Sequence, residues 1–151
     1  MAGGFMEIER KFLIDKEAFD FSGYPHKEYT QGYLNTNPVV RVRREGDAYV
    51  LTYKGGGLMA REEYNLPLNE EAFNHLISKA DGRIIDKTRY FIPLGKYTIE
   101  LDVFKGELAP LIMAEVEFES IEEANAFVPP AWFVEDVTNN PEYHNSRMSQ
   151  R

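Results

Sequence analysis

The chain has 151 residues, 43% of them hydrophobic and 28% charged, which is the make-up of an ordinary globular domain with its own core. The net charge of −8 argues against a general binder of nucleic acid or anionic membrane, which would carry a basic face, and no apolar run is long enough for a membrane helix. Cysteine is absent, so disulfides and thiolate metal sites are excluded and any metal must be held by carboxylates or histidines. One domain is expected over residues 1–151. The start Met1-Ala2-Gly3-Gly4-Phe5 lacks the basic and apolar segments of a signal peptide. Residues 1–5 read as a disordered or cloning-derived extension, with Met6 as a natural start and the cytoplasm as the default location.

Taken in chain order, most segments alternate with period two, the mark of strands. Met6–Ile14 sets Glu7, Glu9 and Lys11 against Ile8 and Phe12. Asp15–Phe19 is one short turn. Glu28–Asn35 follows, then Val39–Arg44, which sets Arg41 and Arg43 against Val40 and Val42. Glu45-Gly46-Asp47 is a tight connection to Ala48–Lys54, where Thr52 and Lys54 oppose Leu51 and Tyr53. Gly55-Gly56-Gly57 has no following Lys-Ser or Lys-Thr, so it is a flexible connection and not a nucleotide-type phosphate loop. Arg61–Leu66 is the fifth strand. Asn69–Lys79 then opens with an Asn cap and two glutamates, and Ala72, Phe73, Leu76 and Ile77 recur at helical spacing.

Arg83–Ile92 sets Lys87 and Arg89 against Tyr90 and Ile92, and Lys96–Phe104 sets Glu100 and Asp102 against Ile99, Leu101 and Val103. Leu111–Glu119 sets Glu115 and Glu117 against Val116 and Phe118. A last helix, Ile121–Phe127, is ended by Pro129-Pro130, after which Trp132 and Phe133 are expected to pack on the outside. His26, His75 and His144 stand alone and are expected to be exposed. The count is about eight strands joined by short turns, an antiparallel meander.

A sheet with one dry and one solvated face is the usual meaning of such alternation. Here, however, each strand carries a pure pair or triad of charges, and the signs are segregated by strand. Closing the sheet would bring the first and eighth strands together, so that Glu7, Glu9, Glu115 and Glu117 converge. Four carboxylates in one place repel unless a cation sits among them, and an all-oxygen set suits Mg²⁺, Mn²⁺ or Ca²⁺. Lys11, Arg41, Arg43, Lys54, Lys87 and Arg89 would face them. Buried charge is costly unless paired, so a strongly anionic, metal-binding ligand is required to complete the lumen. A polyphosphate satisfies this, with Arg offering a fork to phosphate oxygens and Lys a compact charge. The fold class expected is mainly β with some α: a closed antiparallel eight-stranded barrel, a tunnel with a charged lumen and a few helices outside.

These residues resemble the triphosphate tunnel metalloenzymes of the CYTH superfamily. The hallmark Glu-x-Glu-x-Lys stands as Glu7-Ile8-Glu9-Arg10-Lys11. Gln31-Gly32-Tyr33-Leu34, Arg41-x-Arg43, Leu51-Thr52-Tyr53-Lys54, Arg61-Glu62-Glu63-Tyr64 and Lys87-Thr88-Arg89-Tyr90 follow in order. Glu100-Leu101-Asp102-Val103-Phe104, Glu115-Val116-Glu117-Phe118 and the tail Glu135-Asp136-Val137-Thr138 with Tyr143 and Asn145 complete the set. The resemblance is closest to the short bacterial inorganic triphosphatases, and it implies hydrolysis of tripolyphosphate to phosphate and pyrophosphate with Mg²⁺ or Mn²⁺. It implies metal binding by Glu7, Glu9, Glu115 and Glu117, and phosphate binding by Lys11, Arg41, Arg43, Lys54, Lys87 and Arg89. Glu63, Glu100 and Asp102 become supporting acids that orient the basic side chains. Lys87 with Tyr33 would activate the water, with Glu117 also catalytic. A small-molecule triphosphate is the partner implied, without nucleic acid or membrane; whether the chain forms a homodimer stays open. Also open are a class IV-type adenylyl cyclase, an organic triphosphatase acting on thiamine or nucleoside triphosphates, and a polyphosphate-binding module without turnover.

Overall fold

The computed structural model describes residues 4–150. Eight strands close into a barrel: β1 (Gly4–Ile14), β2 (His26–Thr36), β3 (Val39–Glu45), β4 (Ala48–Lys54), β5 (Ala60–Leu68), β6 (Asp81–Leu94), β7 (Tyr97–Phe104) and β8 (Ile112–Phe118). The order around the barrel is β5-β4-β3-β2-β6-β7-β8-β1, and β1 pairs back with β5. Every pairing is antiparallel. The expected extension over residues 1–5 falls partly on residues 1–3, outside the described residues, while β1 already begins at Gly4.

The closure lies on β1. One edge pairs with β8, with Glu9 opposite Glu117 and Lys11 opposite Glu115. The other edge is shared, first by β5, with Glu7 opposite Arg61, and further along by a short ninth strand, β9 (Phe133–Asp136). This ninth strand was not expected from the sequence. It has four residues behind a double proline, too short to show an alternation, and it is held by pairing with β1 rather than by its own pattern.

The helices lie outside. In α1 (Glu70–Ile77) the Asn69 side chain accepts from the Ala72 backbone N–H at 2.7 Å, as the Asn cap in the sequence predicts. Its C-terminal end lies close against β2, where a Cβ on Gly32 would come within 2.8 Å of the Ala80 Cβ and 2.9 Å of Ile84 Cδ1. Glycine is what lets the two approach. In α2 (Ile121–Ala126) the Ser120 hydroxyl accepts from the Glu123 N–H at 3.1 Å. The outward apolar residues Ile8, Leu101 and Val116 are buried beneath Ala124, Phe127 and Phe133. Trp132 joins this outer layer and stacks on Phe19 at 4.3 Å between ring centroids. A second cluster gathers Tyr33, Val39, Ile85, Phe104, Met113, Val137 and Met148. Met148 belongs to α3 (Asn145–Met148), a single turn that the sequence reading did not identify. The backbone N–H of Arg83 donates to the Ser149 carbonyl at 2.7 Å and ties this tail to β6.

The outer layer holds the barrel closed at β1, and Phe12 is its centre. Its ring is 1% exposed, lies 4.7 Å from Phe133 and 6.0 Å from Phe127, and carries the Arg10 guanidinium 5.0 Å from its centroid. Phe12→Ala is expected to cost about 3–5 kcal/mol, the usual loss for a buried aromatic, read as a lowered midpoint in denaturant unfolding. A change under about 1 kcal/mol would mean that the layer is not required for closure.

Candidate active site in the barrel lumen

The period-two alternation that buries Ile8, Val42, Leu101 and Val116 outside turns the charged residues inward. Glu7, Glu9, Lys11, Arg41, Arg43, Lys54, Glu63, Arg89, Asp102 and Glu115 are all buried. Most of them line one cavity of about 290 Å³. Asp102 and Lys87 are 0% exposed and stand behind its wall.

The acids divide into two groups. Carboxylate oxygens of Glu7, Glu9 and Glu117 lie within 4.8 Å of one another, a spacing able to hold one ion. Burial pushes the Glu9 carboxyl up, and Glu115 adds to this against the pull of Lys11. Glu9 Oε1 lies 3.2 Å from Lys11 Nζ but makes no hydrogen bond. Glu117 is pushed up to about 8, first by desolvation and then by Glu100, Glu7, Glu9 and Glu63. Its side chain keeps an exposed side at the mouth, which tempers the desolvation, so the repulsion by the four carboxylates is the informative part. Two neighbouring acids that resist ionisation, Glu9 and Glu117, with one buried Glu9 oxygen lacking a donor, are what a cation site looks like without its cation. The oxygen-only donor set fits Mg²⁺, Mn²⁺ or Ca²⁺.

Glu115, expected to join this trio, is instead engaged elsewhere. It accepts from Lys11 Nζ at 2.9 Å and from Arg89 Nη2 at 3.0 Å. Burial opposes its ionisation, but Lys11 and Arg89 outweigh it and hold its carboxyl well below the usual range.

The basic side chains divide in the same way. Lys54 Nζ donates to Glu7 at 2.8 Å and lies 3.3 Å from Glu63. Arg89 holds Asp102 with two bonds of 2.8 and 2.9 Å and lies 3.3 Å from Glu100. These are the ion pairs expected of the supporting acids. Arg41 and Arg43 are different. The Arg41 Nη2 donates to Thr52 at 3.1 Å, and its buried Nε has no partner. Arg43 donates Nε to the neutral Gln31 Oε1 at 2.8 Å, its only carboxylate contact among the described residues is with Glu45 at the rim, at 3.3 Å, and burial with the neighbouring Arg41 and Arg89 lowers its pKa. Unmatched positive charge is therefore concentrated on β3.

Lys87 Nζ donates to Asp102 at 2.8 Å and to the Asn145 side-chain oxygen at 3.1 Å. Its pKa falls to about 7; burial is the main cause, and Arg89 and Arg43 add to it against Asp102. Crowding by cations, the cause expected from the sequence, is thus secondary. Tyr33 is 2% exposed and lines the cavity. Its hydroxyl accepts from Gln31 Nε2 at 3.4 Å, and the same nitrogen donates to Asn145 at 3.2 Å. Tyr33 and Lys87 thus meet through Gln31 and Asn145.

Tyr29 is a lumen residue not expected from the sequence. Its ring lies between two guanidinium groups, those of Arg43 and Arg89, each 5.0 Å from its centroid. The signal was present, since Tyr29, Gln31 and Tyr33 share one face of β2 by the same alternation that exposed the charges. Neutral residues do not catch the eye in a charge pattern. One expectation is corrected: His144 is buried, 4% exposed, with Nε2 3.3 Å from the Thr138 carbonyl. Burial and Lys11 lower its pKa to about 4, and the docking of the tail is what removes it from solvent.

Residues 6–149 match the CYTH domain family. An inorganic triphosphatase of Nitrosomonas europaea is 40% identical over 148 residues, covering 95% of this chain and 96% of its own. An inorganic triphosphatase of Acetivibrio thermocellus is 36% identical over 149 residues, covering 94% and 92%. Among solved structures, an inorganic triphosphatase at 38% identity superimposes with a TM-score of 0.70 over 96% of this chain and 95% of its own. A Bacillus halodurans chain, 21% identical and with a TM-score of 0.64 over 82% and 86%, shares the fold. The eight-stranded barrel, its inward charges and these matches together establish that the chain belongs to the CYTH domain family.

Proposed function

We propose that the chain is a divalent-metal-dependent inorganic triphosphatase that hydrolyses tripolyphosphate to phosphate and pyrophosphate inside the barrel. One observation carries this reading. A single cavity holds three crowded carboxylates, Glu7, Glu9 and Glu117, of which only Glu7 accepts a hydrogen bond from a cation, Lys54, among the described residues; the same cavity holds Arg41 and Arg43, whose donors are incompletely matched by acids. A ligand satisfying both sides must be highly anionic and able to share a divalent ion. At about 290 Å³ the cavity lies at the lower edge of small-molecule sites, roughly 300–1,000 Å³, which suits a bare linear triphosphate. Tyr29, one of the two aromatic residues lining the cavity, is already held between two guanidinium groups and offers no free face for stacking a base. The partner proposed is a small molecule, and a cytoplasmic place of action belongs to the same proposal.

Glu7, Glu9 and Glu117 would hold Mg²⁺ or Mn²⁺, which when bound neutralises phosphate oxygens and lowers the pKa of a coordinated water. Arg41 and Arg43 bind the chain of phosphates with their free donors. Lys11, Lys54 and Arg89 contribute charge from positions fixed by Glu115, Glu63, Glu100 and Asp102. Phosphoryl transfer asks mainly for positioning and charge stabilisation, and preoriented buried cations provide both without reorganisation. Lys87, with its pKa near 7, is in part neutral at neutral pH and able to accept a proton. Tyr33 lines the cavity and Lys87 stands behind its wall, so Tyr33 is the nearer member of the pair.

Metal dependence is checked by a chelator, which should abolish turnover, and by Glu117→Gln, which should lower kcat by about a hundred-fold or more while the unfolding midpoint stays near that of the wild type. Undiminished hydrolysis in excess chelator would rule the mechanism out. Substrate choice is checked with tripolyphosphate, pyrophosphate, ATP and thiamine triphosphate under Mg²⁺ and Mn²⁺, scored for phosphate and for cyclic AMP. Tripolyphosphate is expected to outcompete ATP, and pyrophosphate to be poor because it reaches fewer of the basic groups. Cyclic AMP formed from ATP with tripolyphosphate left intact would assign the chain to the cyclase reading.

The water-activating role has its own sign. A depressed Lys pKa means that the neutral, proton-accepting form grows as pH rises, so kcat/KM should climb through about pH 7. Lys87→Arg keeps the charge but stays protonated, and should remove that limb while lowering kcat about a hundred-fold. Tyr33→Phe should lower kcat with KM within a few-fold; normal turnover would leave Tyr33 as wall.

A further inference from the structure

The tail after β9 brings a side chain into the lumen wall. Asn145, the first residue of α3, is 8% exposed, and its Oδ1 accepts two hydrogen bonds, from Lys87 Nζ at 3.1 Å and from Gln31 Nε2 at 3.2 Å. Gln31 is 0% exposed, and its other end is fixed because Oε1 accepts from Arg43 Nε at 2.8 Å. That bond orients the Gln31 amide, so Nε2 must face Asn145 and the Tyr33 hydroxyl. The amide oxygen of Asn145 is the only atom in the described structure hydrogen-bonded to both Lys87 and Gln31.

We infer that Asn145 and Gln31 are positioning residues that join Lys87 and Tyr33 into one unit, so that the C-terminal tail completes the catalytic site. The inference deepens the triphosphatase reading and rests on it. Lys87 has two anchors, and they pull differently. Asp102 alone, bonded to Lys87 and doubly to Arg89, would draw the amine toward β7. Asn145 draws it toward Gln31 and Tyr33 with a neutral acceptor, which fixes position without stabilising the ammonium as a carboxylate does. An amide at this place holds the amine while leaving it free to lose its proton. The tail is held by groups that do not line the cavity: Met148 in the apolar cluster and Ser149, whose carbonyl accepts from the Arg83 backbone N–H.

The charged groups facing Lys87 are Asp102 on β7, Arg89 on β6, Arg43 on β3 and Glu115 on β8; Asn145 is the neutral member of the ring, and it offers a way to separate position from charge. Asn145→Ala removes the acceptor and no charge. Its kcat for tripolyphosphate is expected to fall about ten- to a hundred-fold, the scale of a misplaced catalytic group, with KM within a few-fold and no recovery at high pH. Asn145→Asp keeps an oxygen in place and adds a carboxylate. It should raise the Lys87 pKa, move the rising limb of kcat/KM to higher pH, and regain activity there. Gln31→Met should lower kcat as Asn145→Ala does, with a rise in KM as well because it also releases Arg43 Nε.

Circular dichroism, and the rise in melting temperature on adding tripolyphosphate, report whether each variant folds and binds. A variant that binds tripolyphosphate as the wild type does, yet turns over slowly, supports the inference. Normal kcat in Asn145→Ala, or an unmoved pH limb in Asn145→Asp, overturns it while leaving the triphosphatase reading intact. Loss of folding and binding together in all three variants also overturns it, since the two residues would then be structural only. A wild type without tripolyphosphatase activity overturns the reading and this inference together.

Discussion

The constraint on which the rest depends is the burial of at least ten ionisable side chains within a narrow barrel. Moving a charge out of water costs several kcal/mol unless it is paired, and this lumen pairs most of its charges but not all. Lys11, Lys54, Lys87 and Arg89 each have a carboxylate within 3.3 Å. Those contacts explain why the lumen does not fly apart from like-charge repulsion. The remainder, an excess of negative charge where Glu9 and Glu117 crowd the paired Glu7 and of positive charge on β3, is left at the two places where a metal ion and phosphates would complete the balance. The pairing is what makes the imbalance tolerable and confines it to specific atoms.

The barrel was legible because two-sided burial leaves an unusual trace. A solvated face tolerates almost any polar residue, so its sequence is mixed. A charged lumen demands complementary partners, so Glu7-x-Glu9-x-Lys11 and Arg41-x-Arg43 stand out against the apolar positions between them. The strand boundaries followed from the same alternation, within one or two residues in most cases, and α1 begins at the Asn69 cap that the sequence offers. The neighbours of β1 were also foreseeable, since only closure brings its acids to those of β8.

What was not legible depends on tertiary contact. β9 has no alternation of its own and exists because half of one β1 edge is free beyond β5. The burial of His144 and the turn of α3 follow from Met148 entering an apolar cluster built by five other elements, which no local pattern announces. The same is true of the partition of the acids. Sequence spacing puts Glu115 and Glu117 on one face of β8, but only the facing strands decide that Glu115 meets Lys11 and Arg89 while Glu117 meets Glu7 and Glu9.

That partition bears on how the site should respond to change. Asp102 serves both Lys87 and Arg89, and Glu115 serves both Lys11 and Arg89, so the paired charges form one chain and not a set of independent contacts. Removing one member leaves a buried partner unpaired, and its cost spreads to the next. Substitutions along this chain are therefore not additive, and a loss of activity after changing Asp102 would not by itself assign Asp102 a chemical role. Groups outside the chain are more informative. Arg41 is bonded only to the neutral Thr52, and Glu117 stands at the mouth, so neither leaves a buried opposite charge behind when it is neutralised. Asn145 is informative for the same reason: it is uncharged, touches Lys87 directly, and lets the position of that amine be altered without breaking the ion pair with Asp102.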